Sequence, residues 1–146
     1  MRVVVQRVKK ASVSIDNEVT AKIGKGLMVL AAIAAGDNSE TIKWMANKLV
    51  NLRVFEDEAG KMNKSLPDIG GELLIVSNFT LYGDARKGFR PSFTDSAPPD
   101  ISKPLYEQFV NYIKDNYPLK TESGVFAAMM DIELINDGPV TIIIDK

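Results

Sequence analysis

The fold is decided first by residues 2–23, which read RVVVQRVKKASVSIDNEVTAKI. Polar and apolar side chains alternate through Ser12–Ile15 and again from Val19 to Ile23, which is the period of a strand with one solvated face. The dipeptide Asp16-Asn17 between them is a turn signal. We therefore predict strands over Arg2–Val8 and Ser12–Ile15, and an antiparallel hairpin that continues to Ile23.

Two continuous apolar runs predict strands that are buried on both faces. The first is Leu27–Ala35, bounded by Gly26 and Gly36, and the second is Leu73–Val76, which follows Gly70-Gly71. The second run continues into the polar-rich segment Ser77–Leu81. Beyond it, glycines and prolines recur from Gly83 to Pro99 and predict a loop.

Two amphipathic helices are predicted between the strands. Asp37-Asn38-Ser39-Glu40 resembles a capping box, and apolar residues follow it at helical spacing, so a helix is expected over Ser39–Leu52. A second helix is expected to begin near Asp100. Its apolar face comprises Leu105, Tyr106, Phe109, Tyr112 and Ile113.

The C-terminal segment predicts two more strands, over Asp131–Ile135 and Val140–Ile144, joined by a turn at Asn136–Pro139. Strands therefore cluster at both ends of the chain and two separated helices lie between them. This order indicates an α+β fold with a mainly antiparallel sheet. No repeat or linker divides the sequence, so we expect a single domain over residues 1–146.

The composition excludes several kinds of chemistry, because the 146 residues contain no histidine and no cysteine. Ser-His-Asp and Cys-His catalysis and zinc sites of the usual ligands are thereby excluded. Eighteen basic and nineteen acidic residues give a net charge of −1, so any contact with nucleic acid must be local. No apolar run is long enough for a membrane helix, and we expect an intracellular, cytoplasmic protein without a membrane partner.

Two segments are candidates for a functional site. Ser77-Asn78-Phe79-Thr80 places polar groups at the end of a buried strand, where sheets often line a cleft, although these groups equally suit an ordinary strand end. Arg86, Lys87 and Arg90 surround Phe89 in the predicted loop, and such a patch suits an RNA end as well as it suits a solvated loop. By pattern alone, Gly138-Pro139 is a turn, and Phe126 and Met130 are core residues.

Taken together, the motifs of this chain resemble those of the D-aminoacyl-tRNA deacylase family over nearly its whole length. The signatures are Ser77–Leu81, of the form Ser-x-Phe-Thr-Leu, and Asn136–Thr141, of the form Asn-x-Gly-Pro-Val-Thr. The supporting segments are Val5–Val8, Ala11–Val13, Gly60–Asn63, Arg90–Phe93 and Phe126–Met130. One departure stands out, since the family usually has Gln where this chain has Asn78.

The resemblance implies a barrel-like sheet with two helices and a homodimer whose active sites lie at the subunit interface. The implied substrate is aminoacyl-tRNA, bound through its 3′-terminal adenosine. Ser77, Phe79 and Thr80 are the implied catalytic residues, and Asn78, Phe126, Met130, Gly138, Pro139 and Arg7 are the implied substrate-binding residues. Within this set, a cis Gly138-Pro139 pair reaches into the partner's pocket as a chiral gate, and Arg7 helps to hold its conformation.

The expected chemistry is hydrolysis of an ester between an amino acid and a ribose hydroxyl. Backbone N-H groups of Phe79 and Thr80 are expected to stabilise the oxyanion, and the Asn78 departure is expected to leave these donors unaffected. The neighbouring 2′-hydroxyl of the RNA is expected to handle the proton, so that neither a cofactor nor a metal is needed. A backbone gate that excludes an L side chain cannot exclude glycine, and cleavage of glycyl-tRNA is therefore also expected.

Two rival functions stay open on the sequence. The first is a dimeric protein that binds RNA ends without catalysis, for which Asn78 is the only indication. The second is a carboxylate-based or metal-assisted hydrolase of another ester that uses Asp84, Asp95 or Asp137.

Overall fold

The N-terminal stretch forms one continuous strand, β1 (Arg2–Ile15), in the computed structural model, which describes residues 1–146. The predicted hairpin is confirmed: β2 (Glu18–Ile23) pairs with β1 in antiparallel fashion. Asp16 and Asn17 have φ angles of 51° and 66°, the left-handed pair that a tight hairpin turn requires. The predicted gap between two N-terminal strands is wrong, since β1 continues through its exposed lysines, Lys9 and Lys10.

Both edges of β1 are paired along most of their length. On one edge, residues 11–15 of β1 pair with β2 and residues 2–8 pair with β3 (Gly26–Ala32), both in antiparallel fashion. The opposite edge pairs with β8 (Asp131–Asp145), also antiparallel. β1 is therefore the central strand of the molecule.

Two parallel strands extend the sheet beyond β3. β6 (Glu72–Ser77) pairs with β3, and β7 (Thr121–Ser123) pairs with β6. The sheet is thus mixed, with its antiparallel pairings all on β1, and β7 is a strand that the sequence pattern did not predict. A separate small hairpin pairs β4 (Phe55–Glu56) with β5 (Met62–Lys64).

The sheet curls into a nearly closed barrel, and Glu72 links the ends of three neighbouring strands. The Glu72 carboxylate accepts hydrogen bonds from the Gly24 backbone N-H and from Lys120 Nζ, both at 2.9 Å. These contacts join the turn before β3 to the start of β6 and to the residue before β7. The Lys120 ammonium and the Gly24 N-H together lower the pKa of the Glu72 carboxyl.

Both predicted helices are present, as α1 (Ser39–Val50) and α2 (Pro99–Asn116). The Asn38 side chain caps α1 by accepting hydrogen bonds from the N-H groups of Glu40 and Thr41, which satisfies two free donors of the first turn. The helices pack with one face of the sheet around the larger hydrophobic core, and a smaller core fills the inside of the curl. No helix is long and apolar enough to cross a membrane.

The C-terminal segment differs from its prediction, because β8 is one strand and not two strands joined by a turn. Residues 141–145 and 131–136 both pair with β1, in the same direction. Between them, residues 137–140 bulge outward opposite Arg7. The chain need not reverse here, because side chains satisfy the backbone groups of the bulge, as described below.

Gly26 marks the closest approach between β3 and β6. A Cβ atom built on Gly26 would lie 1.8 Å from the backbone oxygen of Glu72, far inside van der Waals contact. No side chain can move aside to relieve this overlap, because the opposing atoms are backbone. Glycine is therefore required at this position for the parallel pairing to form.

We predict that Gly26→Ala lowers the free energy of unfolding by at least about 2 kcal/mol, since overpacking against backbone displaces the strand. Urea denaturation of the purified variants measures the change. Gly36→Ala is the matched control, because a Cβ there meets no atom within 4 Å. Equal stability of the two variants would contradict the close pairing of β3 with β6.

Candidate active site

A cavity of about 680 Å³ opens where β3 and β6 end. The two strands are parallel, so their carboxyl ends meet at the same edge of the sheet. The other walls come from the segment that leads into α2 and from residues 126–130. The cavity thus lies beside Ser77, Asn78 and Phe79, at the strand end where a cleft was one of two interpretations of the sequence.

The lining of this cavity is mostly apolar, and Tyr106 is its only ionisable side chain. The Tyr106 hydroxyl donates a hydrogen bond to the Ile75 carbonyl at 2.9 Å. Burial raises the pKa of this hydroxyl well above its usual value, so Tyr106 stays protonated and serves the structure. The cavity of this chain therefore offers no side chain that can act as a general base near neutral pH.

The strand end itself is held by Asn78. A short 3₁₀ helix over Phe79–Tyr82 follows β6, and the Asn78 side chain caps it. Asn78 Oδ1 accepts hydrogen bonds from both the backbone N-H and the hydroxyl of Thr80. Consequently the Thr80 hydroxyl is committed to Asn78, and Thr80 does not line the cavity.

These contacts correct one expectation about the Asn78 departure. The Thr80 N-H depends on the side chain at position 78, because it donates a hydrogen bond to Asn78 Oδ1 at 3.2 Å. The Phe79 N-H, in contrast, has no hydrogen-bond partner within the chain, and neither does the Ser77 hydroxyl. The structure thus offers one free backbone donor and one free hydroxyl at the strand end.

Phe126 and Met130 lie together in the cavity wall, as the resemblance implies. The Phe126 ring packs against Tyr106, with 5.9 Å between ring centroids. Gly124 allows Met130 to approach, since a Cβ on Gly124 would lie 2.6 Å from the Met130 sulfur. Met129, between them in this wall, is 91% exposed.

Arg7 lies apart from this cavity, beneath the bulge of β8. Its buried guanidinium donates hydrogen bonds to the carbonyl of Asp137 at 2.9 Å and to the carbonyl of Val54 at 2.6 Å. The Asp137 carboxylate lies 3.5 Å from Arg7 Nε. Arg7 therefore fixes the backbone immediately before Gly138, which agrees with the position implied for it.

Asn136 holds the same bulge from the other side, a contribution that the sequence did not reveal. Its side chain accepts a hydrogen bond from the Val140 N-H at 2.8 Å and donates one to the Val140 carbonyl at 3.2 Å. Between these anchors, the Gly138-Pro139 bond is cis and both residues are exposed. Gly138 has φ of +141°, and a Cβ there would lie 2.7 Å from the Val140 nitrogen, so only glycine fits.

The predicted residues thus fall into two groups within one chain. Ser77, Asn78, Phe79, Phe126 and Met130 line the cavity, whereas Arg7, Thr80, Gly138 and Pro139 do not. Phe93 is a cavity residue that the sequence did not single out, and it packs edge to face on Phe79 with 5.3 Å between centroids. Its place in the Arg-Pro-Ser-Phe segment was the only available signal.

The acidic residues of the rival hydrolase do not form a site. Asp84, Asp95 and Asp137 are absent from the cavity lining. The Asp84 carboxylate is paired with Arg86, which lowers its pKa. No group of three acidic side chains comes close enough together to hold a metal ion.

A family model described as D-Tyr-tRNA(Tyr) deacylase matches residues 4–145. The chain belongs to this family. It is therefore a hydrolase of the D-aminoacyl-tRNA deacylase family, with the mixed sheet and two helices described above. Family membership selects the cavity beside Ser77–Thr80 as the candidate active site, since that segment carries one of the family's signatures.

Several D-aminoacyl-tRNA deacylases are similar to this chain over its full length. The D-aminoacyl-tRNA deacylases of Thermosipho africanus and Petrotoga mobilis are 59% and 54% identical over all 146 residues, which cover 97% of each relative. A solved c-Myc DNA unwinding element binding protein is 39% identical, with a TM-score of 0.95, and the alignment covers 100% of this chain and 99% of that one. A probable eukaryotic D-amino acid tRNA deacylase, at 19% identity and a TM-score of 0.86 over 99% and 98% of the two chains, shares the fold.

We predict that Arg7→Met lowers the free energy of unfolding by about 3 kcal/mol, because the Val54 carbonyl, the Asp137 carbonyl and the Asp137 carboxylate lose their partner. Urea denaturation measures the loss. Arg53→Met serves as the control, since Arg53 is exposed and forms no ion pair, and it should change stability by less than about 0.5 kcal/mol. Similar losses in the two variants would show that Arg7 does not anchor the bulge.

Proposed function

We propose that this enzyme hydrolyses the ester bond of D-aminoacyl-tRNA, releasing a free D-amino acid and tRNA, and that it spares L-aminoacyl-tRNA. The observation that carries the proposal is a signature-bearing strand end that opens into an apolar cavity without an ionisable base. Such a cavity suits an uncharged side chain and a nucleoside, with the chemistry concentrated at Ser77–Thr80. Hydrolysis is proposed to occur in the cytoplasm.

The substrate's terminal adenosine and its amino acid are proposed to occupy the cavity together. Phe79 and Phe93 offer aromatic faces at its mouth, where a base can stack. Phe126 and Met130 offer apolar contacts deeper in the wall. The side-chain polar groups that remain for the ribose and the ester are the Ser77 hydroxyl, the free amide nitrogen of Asn78 and the unpaired Ser96 hydroxyl.

The Phe79 N-H is the proposed oxyanion donor. When water attacks the ester carbonyl, negative charge develops on the carbonyl oxygen, and a fixed donor at that point lowers the barrier. One such donor is worth about 2.7 to 4 kcal/mol in well-studied acyl-transfer enzymes. Phe79 is the better choice over Thr80, because the Thr80 N-H already donates to Asn78.

Proton transfer is assigned to the substrate itself. The cavity of this chain holds no carboxylate, lysine or imidazole, and its one tyrosine is protonated. The ribose hydroxyl next to the ester lies within reach of both the attacking water and the leaving oxygen. RNA-assisted hydrolysis therefore requires no cofactor, no metal and no covalent intermediate on Thr80.

We predict that Thr80→Val keeps kcat within about ten-fold of the wild-type value, because the hydroxyl donates to the Asn78 side chain and does not attack. Loss of a true nucleophile lowers kcat about a million-fold in a serine protease. Thr80→Ser, which keeps the hydroxyl, is the matched variant. Abolished turnover in folded Thr80→Val protein, with an acyl group trapped on wild-type Thr80, would establish the covalent route instead.

Stereospecificity is assigned to Gly138 and Pro139, acting in the partner's cavity of a homodimer. Within the chain, this pair is exposed and anchored by Arg7 and Asn136, so it forms a rigid projection with no target in its own subunit. The outer edge of β8 pairs with no other strand, and it carries exposed Ile142 and Ile143. An open apolar edge of this length favours association with a second copy.

A backbone projection discriminates by excluding volume. The Gly138-Pro139 carbonyls can hold the substrate's α-amino group, while the backbone leaves no room for a Cβ in the L position. Glycine has no Cβ and therefore meets no obstacle. Rejection of L substrates and cleavage of glycyl-tRNA follow from the same geometry.

We predict that the enzyme cleaves D-tyrosyl-tRNA more than about 200-fold faster than L-tyrosyl-tRNA, beyond what a methylene-sized difference in fit supplies. Glycyl-tRNA should be cleaved at the enzyme concentrations that clear D-tyrosyl-tRNA. Release of radiolabelled amino acid from the three substrates, measured side by side, tests both statements. Binding without release would support the rival RNA-binding function, and a resistant glycyl-tRNA would refute the volume-exclusion gate.

The same assay, run with EDTA, tests the proposed independence from metal. The rate on D-tyrosyl-tRNA should change by less than about two-fold, because proton transfer and oxyanion stabilisation are both assigned to groups other than a metal ion. The control is an enzyme-free assay, which measures the spontaneous hydrolysis of the same ester in EDTA. Loss of activity that returns on adding a divalent cation would revive the metal-assisted rival.

A further inference from the structure

The loop over residues 83–93, called here the basic loop, is anchored at the mouth of the cavity. Asp84 and Ser92 exchange backbone hydrogen bonds of 2.7 and 2.9 Å, which close the base of the loop. The next residue, Phe93, lines the cavity and packs on Phe79. A molecule bound to the basic loop would therefore lie next to the candidate active site.

The charge of this loop is not fully neutralised from within. Arg86 donates hydrogen bonds of 2.9 and 2.8 Å to the Asp84 carboxylate, so these two charges cancel. Lys87 and Arg90 are exposed and have no carboxylate within 4.0 Å. Two free cations thus stand beside the cavity on a chain whose net charge is −1.

Phe89 lies between these cations at the tip of the loop and makes no apolar packing contact. Its side chain is fully exposed, with a relative accessibility of 106%. All the other exposed large apolar residues are at least partly covered, and Phe89 has the highest relative accessibility. A free aromatic ring between two unpaired cations is the arrangement that binds single-stranded nucleic acid, by stacking on bases and pairing with phosphates.

We propose that the basic loop binds the single-stranded 3′ segment of the tRNA just upstream of the terminal adenosine, with Lys87 and Arg90 on phosphates and Phe89 stacked on a base. This proposal rests on the proposed function and adds a second contact region to the same site. In it, the cavity recognises the aminoacyl end and the loop recognises RNA without regard to sequence. The loop residues are positioning residues, since none of them touches the ester.

Two substrates distinguish an effect on RNA binding by the loop from an effect on ester hydrolysis. D-tyrosyl-tRNA carries the upstream phosphates and bases, whereas D-tyrosyl-adenosine carries the ester and the terminal nucleoside alone. Lys87→Ala/Arg90→Ala should raise KM for D-tyrosyl-tRNA about ten-fold. It should also reduce the slope of log kcat/KM against log salt by about 1.4, since each of the two phosphate contacts on a single strand contributes about 0.7. Hydrolysis of D-tyrosyl-adenosine should be unchanged.

Phe89→Ala should raise KM for D-tyrosyl-tRNA at least about five-fold and leave its salt dependence unaltered, because stacking and not charge is lost. Phe89→Trp should restore the wild-type value. Lys25→Ala/Lys114→Ala is the matched charge control. Lys25 lies before the start of β3, at the opposite end of that strand from the cavity, and Lys114 lies in the last turn of α2.

The outcomes distinguish the two proposals. If the wild type cleaves neither substrate, the proposed function fails and this inference fails with it. If it cleaves both, but the loop variants slow both equally or slow neither, the function stands and the loop proposal is wrong. An equal rise in KM for the Lys25/Lys114 control would also overturn it, because the effect would then be one of overall charge.

Discussion

The structure depends on a single strand whose two edges are both hydrogen-bonded. β1 receives β2 and β3 on one side and β8 on the other, so the first and last segments of the chain are held together through it. Each pairing fixes which residues face one another. In particular, the register places Arg7 opposite the bulge at residues 137–140, and the buried guanidinium supplies the donors that this bulge needs. The exposed Gly138-Pro139 pair is thus a consequence of how β1 is paired.

The cavity arises from a different feature, the parallel pairing of β3 with β6. Parallel strands end at the same edge, and the polar segment Ser77–Thr80 emerges there against a wall of apolar side chains. Gly26 permits this pairing, because the backbones at the start of the two strands lie too close for any Cβ. A site of this kind has fixed backbone donors and little charge. It suits a reaction in which the substrate provides its own acid and base.

Asn78 links the sequence of the site to its geometry. Its carbonyl oxygen receives both donors of Thr80, so the side chain that departs from the family's usual glutamine also determines which backbone N-H stays free. A side chain longer by one methylene places its amide differently relative to the same two donors. The hydrogen bonding of Thr80 therefore depends on Asn78, whereas Phe126 and Met130 form a separate, apolar part of the cavity wall.

The sequence by itself determined the elements with local causes. The Asp16-Asn17 turn, the start of α1 at Ser39 and the apolar faces of both helices follow from near neighbours, and these predictions are confirmed. The signature at Ser77–Leu81 likewise located one wall of the candidate site. Tertiary structure alone decided the rest. β7 is three residues long and carries no periodic signal, and the continuity of β8 depends on Arg7 from the other end of the chain. The hydrogen bond from the Thr80 N-H to Asn78 could not be predicted from the sequence either, because hydrogen bonding depends on atomic positions that residue types do not specify.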